Sequence, residues 1–596
     1  MATTQPVLGK LRTALAIPLV LAAVAPAGVA AQRHGATGTL MSADGRVEWN
    51  RYYTSGETNA ILAHYARRFP QLTRLYSIGR SWRGADLMLI EVTNQATGPA
   101  AEKPALYLDG GIHAAELTGS AVALYVLGQL LDGYGTDPRI TQLLDTRTFY
   151  IRPKFNPDGA DLALIHDQSL RSSVHPVDDD GDGVPDDDPP EDLNGDGWIT
   201  QMRIPDPDGN RMQDPADPRI LLARPEGATE GRFYRVITEG IDNDGDGRIN
   251  EDGIGGLDMN RNFPRNWELE FLQPGAGEFP LSEPETYATV KFINEHPNIG
   301  SIVHGHTSGG FVYRLPSASD PSKFDRTDLA LIEELGAYYT RTTGRPVQAS
   351  ATHPTEHRYG TLIEWGYQDR GIIGWVPEYS PADAWITDYD GDGTITDAER
   401  HRFNDEQLGG RYFSPWTAYE HPQLGPVEIG GWHTKYWGQN PPAEFLENEC
   451  RQQVDWILYL AEQSPVLKVS APAVTSLGED RWRIEITVTN DGYLPTNLTE
   501  RGHMGRQSEG GALADQVVRP PVAILEQRGI EIESGKARTE MPHLDGSNPH
   551  SKAVSERSYV VRWEVRATAP DAAVRITAAA DKAGVVRTAW VTLNGN

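Results

Sequence analysis

The stretch "YLDGGIHAAELTG", residues 107–119, decides how this chain is read. Tyr107 to Ile112 is a short apolar run of the kind a buried strand needs. The segment that follows, "LTGSAVALYVLGQLLDGY", is apolar at nearly every position and of helical length. Between them a Gly-Gly turn leaves His113 and Glu116 three residues apart, a spacing that shares one face of a helix or its first turn. Folding has no need of that pair, whereas a metal ion does. A catalytic zinc takes three protein donors from His, Glu, Asp or Cys and keeps one position for water. The third donor must come from elsewhere, and "SIVHGHTSGG" supplies His304 and His306 at the end of an apolar strand, where α/β sheets hold ligands. Alternation puts both on the same side, so spacing does not choose between them.

Outward from this stretch, residues 48–93 read as an amphipathic helix ("NAILAHYARRF") and two strands ("TRLYSIGRS", "DLMLIEVTN"), and "RTFYIRPKFNPDG" as a strand running into a turn. Residues 270–465 continue the pattern with helices at "PETYATVKFINEH", "DLALIEELGAYYTRTTG" and "EFLENECRQQVDWILYLAEQ" around the strand "IGSIVHGHT". This alternation predicts an α/β fold, a mixed, largely parallel sheet flanked by helices, over residues 32–465. From residue 466 to 596 apolar and polar residues alternate, as in "RWRIEITVTNDG" and "SYVVRWEVRATAP", which predicts an antiparallel β-sandwich.

With 83 acidic against 54 basic side chains the formal net charge is -29, which excludes nucleic acid as a partner and suits cations. Lys10, Arg12, an apolar run from Ala14 to about Val24 and the small residues of "GVAAQ" read as a secretory signal over residues 1–31. A secreted or periplasmic protein is expected, with no membrane insertion in its mature form. Its single cysteine, Cys450, rules out an internal disulfide, so core size or bound ions must stabilise it.

The residues resemble the zinc carboxypeptidases typified by pancreatic carboxypeptidases A and B. That family's pattern appears in order as His113 and Glu116, "NPDG" at 156–159, Arg171, "GLDMNRNF" with Asn260 and Arg261, "HTSGGFVY" with His306, and "GWVPEYS" with Glu378. The likeness spans about residues 48–465. Two spacings match as well, Asn156 to Arg171 at fifteen positions and Glu364 of the substrate-pocket strand to Glu378 at fourteen. The resemblance implies zinc on His113, Glu116 and His306, Glu378 as general base, and Arg171 as oxyanion donor. It also implies a carboxylate clamp from Asn260 and Arg261, Asp258 behind the first histidine, and Ile363 in the side-chain pocket favouring aromatic or aliphatic C-terminal residues. The expected substrates are peptide or protein C-termini. Two departures concern substrate grip: Ala115 replaces an arginine between the first ligands, and Glu356 stands where the family has a mobile tyrosine, with Tyr359 nearby.

Four acidic loops interrupt the pattern, three within residues 178–256 and one within 385–400. A calcium loop of the EF-hand type needs oxygens at positions 1, 3, 5, 7 and 9, Gly at 6 and Glu at 12. "DYDGDGTITDAE" meets this with Asp388, Asp390, Asp392, Gly393, Thr394 and Glu399. The loops Asp178, Asp180, Asp182; Asp192, Asn194, Asp196; and Asp242, Asp244, Asp246 keep the triplet, but have Pro189, Arg203 and Gly253 at position 12. They are expected to bind calcium more weakly or to recruit acids from one another. The leading expectation is thus a secreted zinc metallocarboxypeptidase with structural calcium. The alternatives are a zinc amidase acting on cell-wall peptides or acylated amino acids, and a non-catalytic calcium-dependent binding module.

Overall fold

The computed structural model describes residues 41–593 other than 43–44, 318–323, 353–357, 382, 504, 508–512 and 551–555. The expected signal at 1–31 and the departure at Glu356 lie outside the described residues.

Eight strands form the central sheet: β1 (Thr73–Arg80), β2 (Asp86–Val92), β3 (Ala105–Gly110), β4 (Thr148–Arg152), β5 (Ile299–Thr307), β6 (Phe311–Arg314), β7 (Val347–Ala349) and β8 (Ile373–Tyr379). Their order is β1-β2-β4-β3-β5-β8-β6-β7. The interior run β4-β3-β5-β8 is parallel, while β1 and β2 pair antiparallel with each other, β2 with β4 and β6 with β8. Parallel strands buried on both faces carry continuous apolar residues rather than alternation, and β3 and β4 are buried throughout. The α/β expectation, mixed and parallel at its centre, holds.

Three helices matter most for the site. The first, α1 (Leu117–Gly133), is apolar all round because it is covered on every side, by β3 and β5 and by α3 (Ala443–Glu462). Its approach to the sheet is backbone against backbone: a Cβ at Gly119 would stand 2.6 Å from the Gly305 carbonyl oxygen. Between them in sequence, α2 (Leu362–Arg370) carries Ile363 and Glu364, so these residues begin a helix rather than lying on a strand. Thr361 caps it with a side-chain oxygen, which is why an apolar run resembling a strand turns helical there. Likewise "NPDG" is a helix start, since Asn156 accepts from Gly159 N and Pro157 occupies the first helical position.

The acidic insertion is not only loops. Gln201–Pro205, Arg211–Gln213, Leu221–Ala223 and Phe233–Thr238 form an antiparallel sheet with the hairpin Phe413–His421 and Gly425–Trp432. The hairpin was expected to continue the α/β pattern; its partners lie about two hundred residues earlier, beyond the reach of local periodicity.

Beyond α3, two antiparallel sheets face each other across a core that includes Ile484, Trp563, Leu525 and Ile576. This part docks on the rest: Lys582 Nζ donates to Ile299 O at 2.6 Å, and the Asp328 carboxylate accepts from Glu500 N at 2.6 Å and Arg501 N at 3.1 Å.

Candidate active site

Because β3, β5 and β8 run parallel, their carboxyl ends gather at one edge, where such sheets hold ligands. His113 and Glu116 follow β3, His306 is next to last in β5, and Glu378 is its register partner on β8. The first pair does not ride on α1. It lies in the turn ahead of it, where Gly111 takes a positive φ of 73° and Glu116 N donates to His113 O at 3.2 Å. Glu116 occupies the N-cap position of α1 without capping it, because its carboxylate faces the two histidines.

Three donor groups converge. His113 Nδ1 lies 2.7 Å from Glu116 Oε1 and 3.1 Å from His306 Nδ1, which is 2.9 Å from Glu116 Oε2. All three residues are buried, and their ligand atoms lie within 4.8 Å of one another. Two imidazole nitrogens turned toward each other beside a carboxylate fit a cation, and the His2Glu set with a side open to the cleft is the donor chemistry of a catalytic zinc. His113 Nε2 faces Asp258 Oδ1 at 3.1 Å, an arrangement that leaves Nδ1 as the donor to an ion. His304, on the same side of β5, turns its Nδ1 to Asp109 Oδ1 at 2.6 Å and stands outside this group.

Electrostatics follow the packing. Burial alone would depress the His113 pKa, yet Glu116 and Asp258 outweigh it and the net direction is upward. His306, with burial dominant, is pushed down to about 3. Burial works to raise Glu116, but His113 and His306 hold it below the usual carboxylate range. Asp258 also lies well below that range, since His113, Arg261 and Arg171 offset its burial. Glu378 goes the other way: burial and then the neighbouring Glu116 raise it well above an ordinary glutamate.

A cavity of about 580 Å³ opens over these groups, lined by His113, Glu116, Arg171, Asn260, Arg261, His306, Ile363 and Glu378, so the expected zinc, base, oxyanion and clamp residues all meet there. Arg171 Nε donates to Asp258 Oδ2 at 3.0 Å. Arg261 Nη1 donates to Asn260 O at 3.0 Å, and the Asn260 amide stands 3.4 Å from His306. The pocket around Ile363 is more polar than that one residue suggests, since Ser317, Ser350, Thr361 and Arg358 also line it, Arg358 resting over the Tyr313 ring.

One residue escaped the sequence reading. Asn440, fully buried, accepts through Oδ1 from Leu117 N, Thr118 N and Thr118 Oγ1, and donates through Nδ2 to Ala115 O and Lys435 O. It caps α1 in place of Glu116, whose carboxylate is turned to the two histidines. The one local signal is that the N-cap position of α1 holds Glu116 and not a Ser, Thr, Asp or Asn.

The acidic loops share one conformation. Asp178, Asp242 and Asp388 each accept from the glycine amides three and five residues on, and Asp192 keeps the second of these bonds. Asp388, Asp390 and Glu399 bring ligand atoms within 4.8 Å of one another.

Residues 58–186 and 226–389 match the family model described as zinc carboxypeptidase, and residues 466–591 match a domain of unknown function (DUF8731). The chain is 33% identical over 122 residues to carboxypeptidase A6 of Mus musculus, covering 20% of this chain and 27% of that protein. It is 22% identical over 341 residues to carboxypeptidase A1 of Sus scrofa, covering 54% and 59%. The solved carboxypeptidase A from Helicoverpa armigera is similar at 14% identity and a TM-score of 0.44, covering 73% of this chain and 79% of that one. The chain spans about a quarter or less of the length of the first curated relatives it matches, 9%, 27% and 25%. With the family model matching on both sides of residues 187–225, and relatives named carboxypeptidase, this chain belongs to the zinc carboxypeptidase family.

Proposed function

We propose that this protein is an exported zinc-dependent metallocarboxypeptidase that removes single residues from the C-termini of peptides or proteins, with structural calcium in its acidic loops. The observation that carries the reading is the meeting, in one cavity, of the donor trio with Glu378, Arg171, Asn260 and Arg261.

His113 Nδ1, Glu116 and His306 Nδ1 would hold the ion. When bound, zinc polarises the scissile carbonyl and makes water acidic enough to attack near neutral pH. Glu378 is the carboxylate that would accept a proton from the attacking water and return it to the departing amine. Arg171 donates to the oxyanion as the carbonyl carbon becomes tetrahedral. Arg261, a planar fork, and the Asn260 amide bind the free C-terminal carboxylate, which restricts cleavage to the last bond. Ile363 supplies an apolar wall for the released side chain, while Arg358, Ser317 and Thr361 make room for a polar one. Asp258 holds His113 and Arg171 in register through one carboxylate. Export rests on the leader read at residues 1–31; among the described residues no helix is long and apolar enough to cross a membrane.

The test is mass spectrometry of a defined peptide mixture, free and C-terminally amidated, incubated with wild type and Glu378→Gln in calcium. Wild type is expected to trim one residue at a time from free C-termini only, and the variant to be slower by roughly 10²–10⁴-fold. Equal cutting of amidated peptides moves the amidase reading ahead. Undiminished cutting by the variant removes Glu378 from its role.

A further inference from the structure

Only the Asp388 loop carries its own acid at position 12. There Glu399 accepts from the backbone at loop positions 2 and 9, Oε1 from Tyr389 N and Oε2 from Thr396 N, both at 2.8 Å. In the other loops those seats are served by acids from outside. Glu239 accepts from Leu193 N at 2.7 Å and Thr200 N at 3.0 Å in the Asp192 loop. Asp188 accepts from Asn243 N at 3.1 Å and Asn250 N at 2.7 Å in the Asp242 loop. Asp252 accepts from Asp179 N at 3.4 Å in the Asp178 loop. Asp188 and Asp252 each stand at the eleventh position of their own loop and serve the other.

A second observation is independent of this bonding. Asp252 is fully buried, and its Oδ2 has no hydrogen-bond partner. It shares a cluster with Asp178 and Asp180 whose ligand atoms lie within 4.8 Å of one another. Beside it, Asp180, Asp244, Asp246 and Glu251 form a second such cluster, and both Glu251 carboxylate oxygens are shielded from water and unpartnered. A buried carboxylate oxygen left bare is strongly disfavoured unless a cation meets it, and Arg248, with Nε 3.8 Å from Asp246 Oδ2, stands too far from the second cluster to hydrogen-bond it. The all-oxygen donor set, irregular and rich in carboxylates, suits calcium over the smaller and stricter magnesium.

We propose that the Asp178 and Asp242 loops form one reciprocally closed pair of calcium sites, Asp252 joining the donors of the first and Asp188 closing the second loop around its own donors and Glu251. The inference deepens the calcium part of the reading above and rests on it. Its consequence is local to the cleft. The two arms that the pair joins continue through the bond from Ser173 N to Leu257 O at 2.9 Å, and end at Arg171 and Asp258. Calcium here anchors the arms that carry the oxyanion arginine and the carboxylate clamp.

The test is equilibrium dialysis of the full chain against graded calcium, with bound ions counted by elemental mass spectrometry. The proteins are wild type, Asp252→Asn, Asp188→Asn, the double variant and Glu399→Gln. Each single Asp variant is expected to weaken one ion by about tenfold or more, the double variant to weaken both, and Glu399→Gln to affect a different ion. Wild-type binding by both Asp variants, with an ion lost only from Glu399→Gln, overturns the exchange and leaves the calcium reading standing. No bound calcium in wild type overturns both, while the peptide-trimming test of hydrolysis is untouched. Limited proteolysis of wild type needs no variant: calcium is expected to protect residues 178–189 and 242–253 over the same concentration range. Protection at separate concentrations, or none, overturns the pairing.

Discussion

Asn440 offers the sharpest test of how the metal turn is held. Glu116 is the N-cap residue of α1 but cannot cap it while its carboxylate faces the histidines. The cap comes instead from Asn440, which receives three hydrogen bonds at 2.8, 3.0 and 2.9 Å and gives one of 2.7 Å to the carbonyl between the ligands, Ala115 O. Replacing Asn440 by Ala removes an N-cap, a loss of about 1–2 kcal/mol. It also strands the buried Ala115 carbonyl, at about 1–3 kcal/mol. Lys435 O retains the backbone bond from Asn440 N, so it adds little. The sum is about 3 kcal/mol of stability. Because His113 and Glu116 then lose their fixed turn, zinc affinity is expected to fall roughly 10–100-fold, as when other supports of metal ligands are removed. Asn440→Asp keeps the acceptor and adds a charge that the helix N-terminus favours, so it should recover part of the loss. The assays are thermal unfolding and zinc competition against a chelating dye. If Asn440→Ala unfolds and binds zinc like wild type, or if Asp recovers nothing, the borrowed cap is not what holds the turn.

Gly119→Ala places a methyl 2.6 Å from Gly305 O and 3.2 Å from Gly110 Cα, so α1 must move; a net loss of about 1–3 kcal/mol with weaker zinc binding is expected in the same assays, and an unchanged protein would mean the contact yields freely. Lys582, buried against Ile299 O, has its pKa pushed down to about 7 by burial, from 10.5. Between these values the unfolded chain holds a proton that the folded one lacks, so stability rises with pH across that window, approaching about 1.4 kcal/mol per unit. Below about pH 7 both states are charged and the effect levels off. Unfolding measured from pH 6 to 9 should therefore climb more steeply in wild type than in Lys582→Met, and parallel curves would contradict the assignment.

Where a feature depends on neighbours in the chain, the sequence alone located it. His113 and Glu116, "NPDG", the Asn260-Arg261 pair and the four acidic triplets are local patterns; the first and third of these line the cavity, and "NPDG" starts a helix. The parallel core was legible too, because strands buried on both faces must be continuously apolar. Local reasoning failed where a segment's conformation depends on a distant partner. The hairpin at 413–432 pairs with the strand near residue 202, and the position of Ile363 on a helix follows from a cap that apolar patterning does not reveal. Both histidines of "HGH" point to one side of β5, and only the fold gives Asp109 to His304 and the zinc turn to His306. The same holds for Asn440, which reaches across 323 residues to Leu117, and for Asp188 and Asp252, each serving the loop of the other. A sequence specifies which groups are available within a turn or two; tertiary packing selects which of them meet, since burying a polar atom requires a partner from whatever part of the chain lies against it.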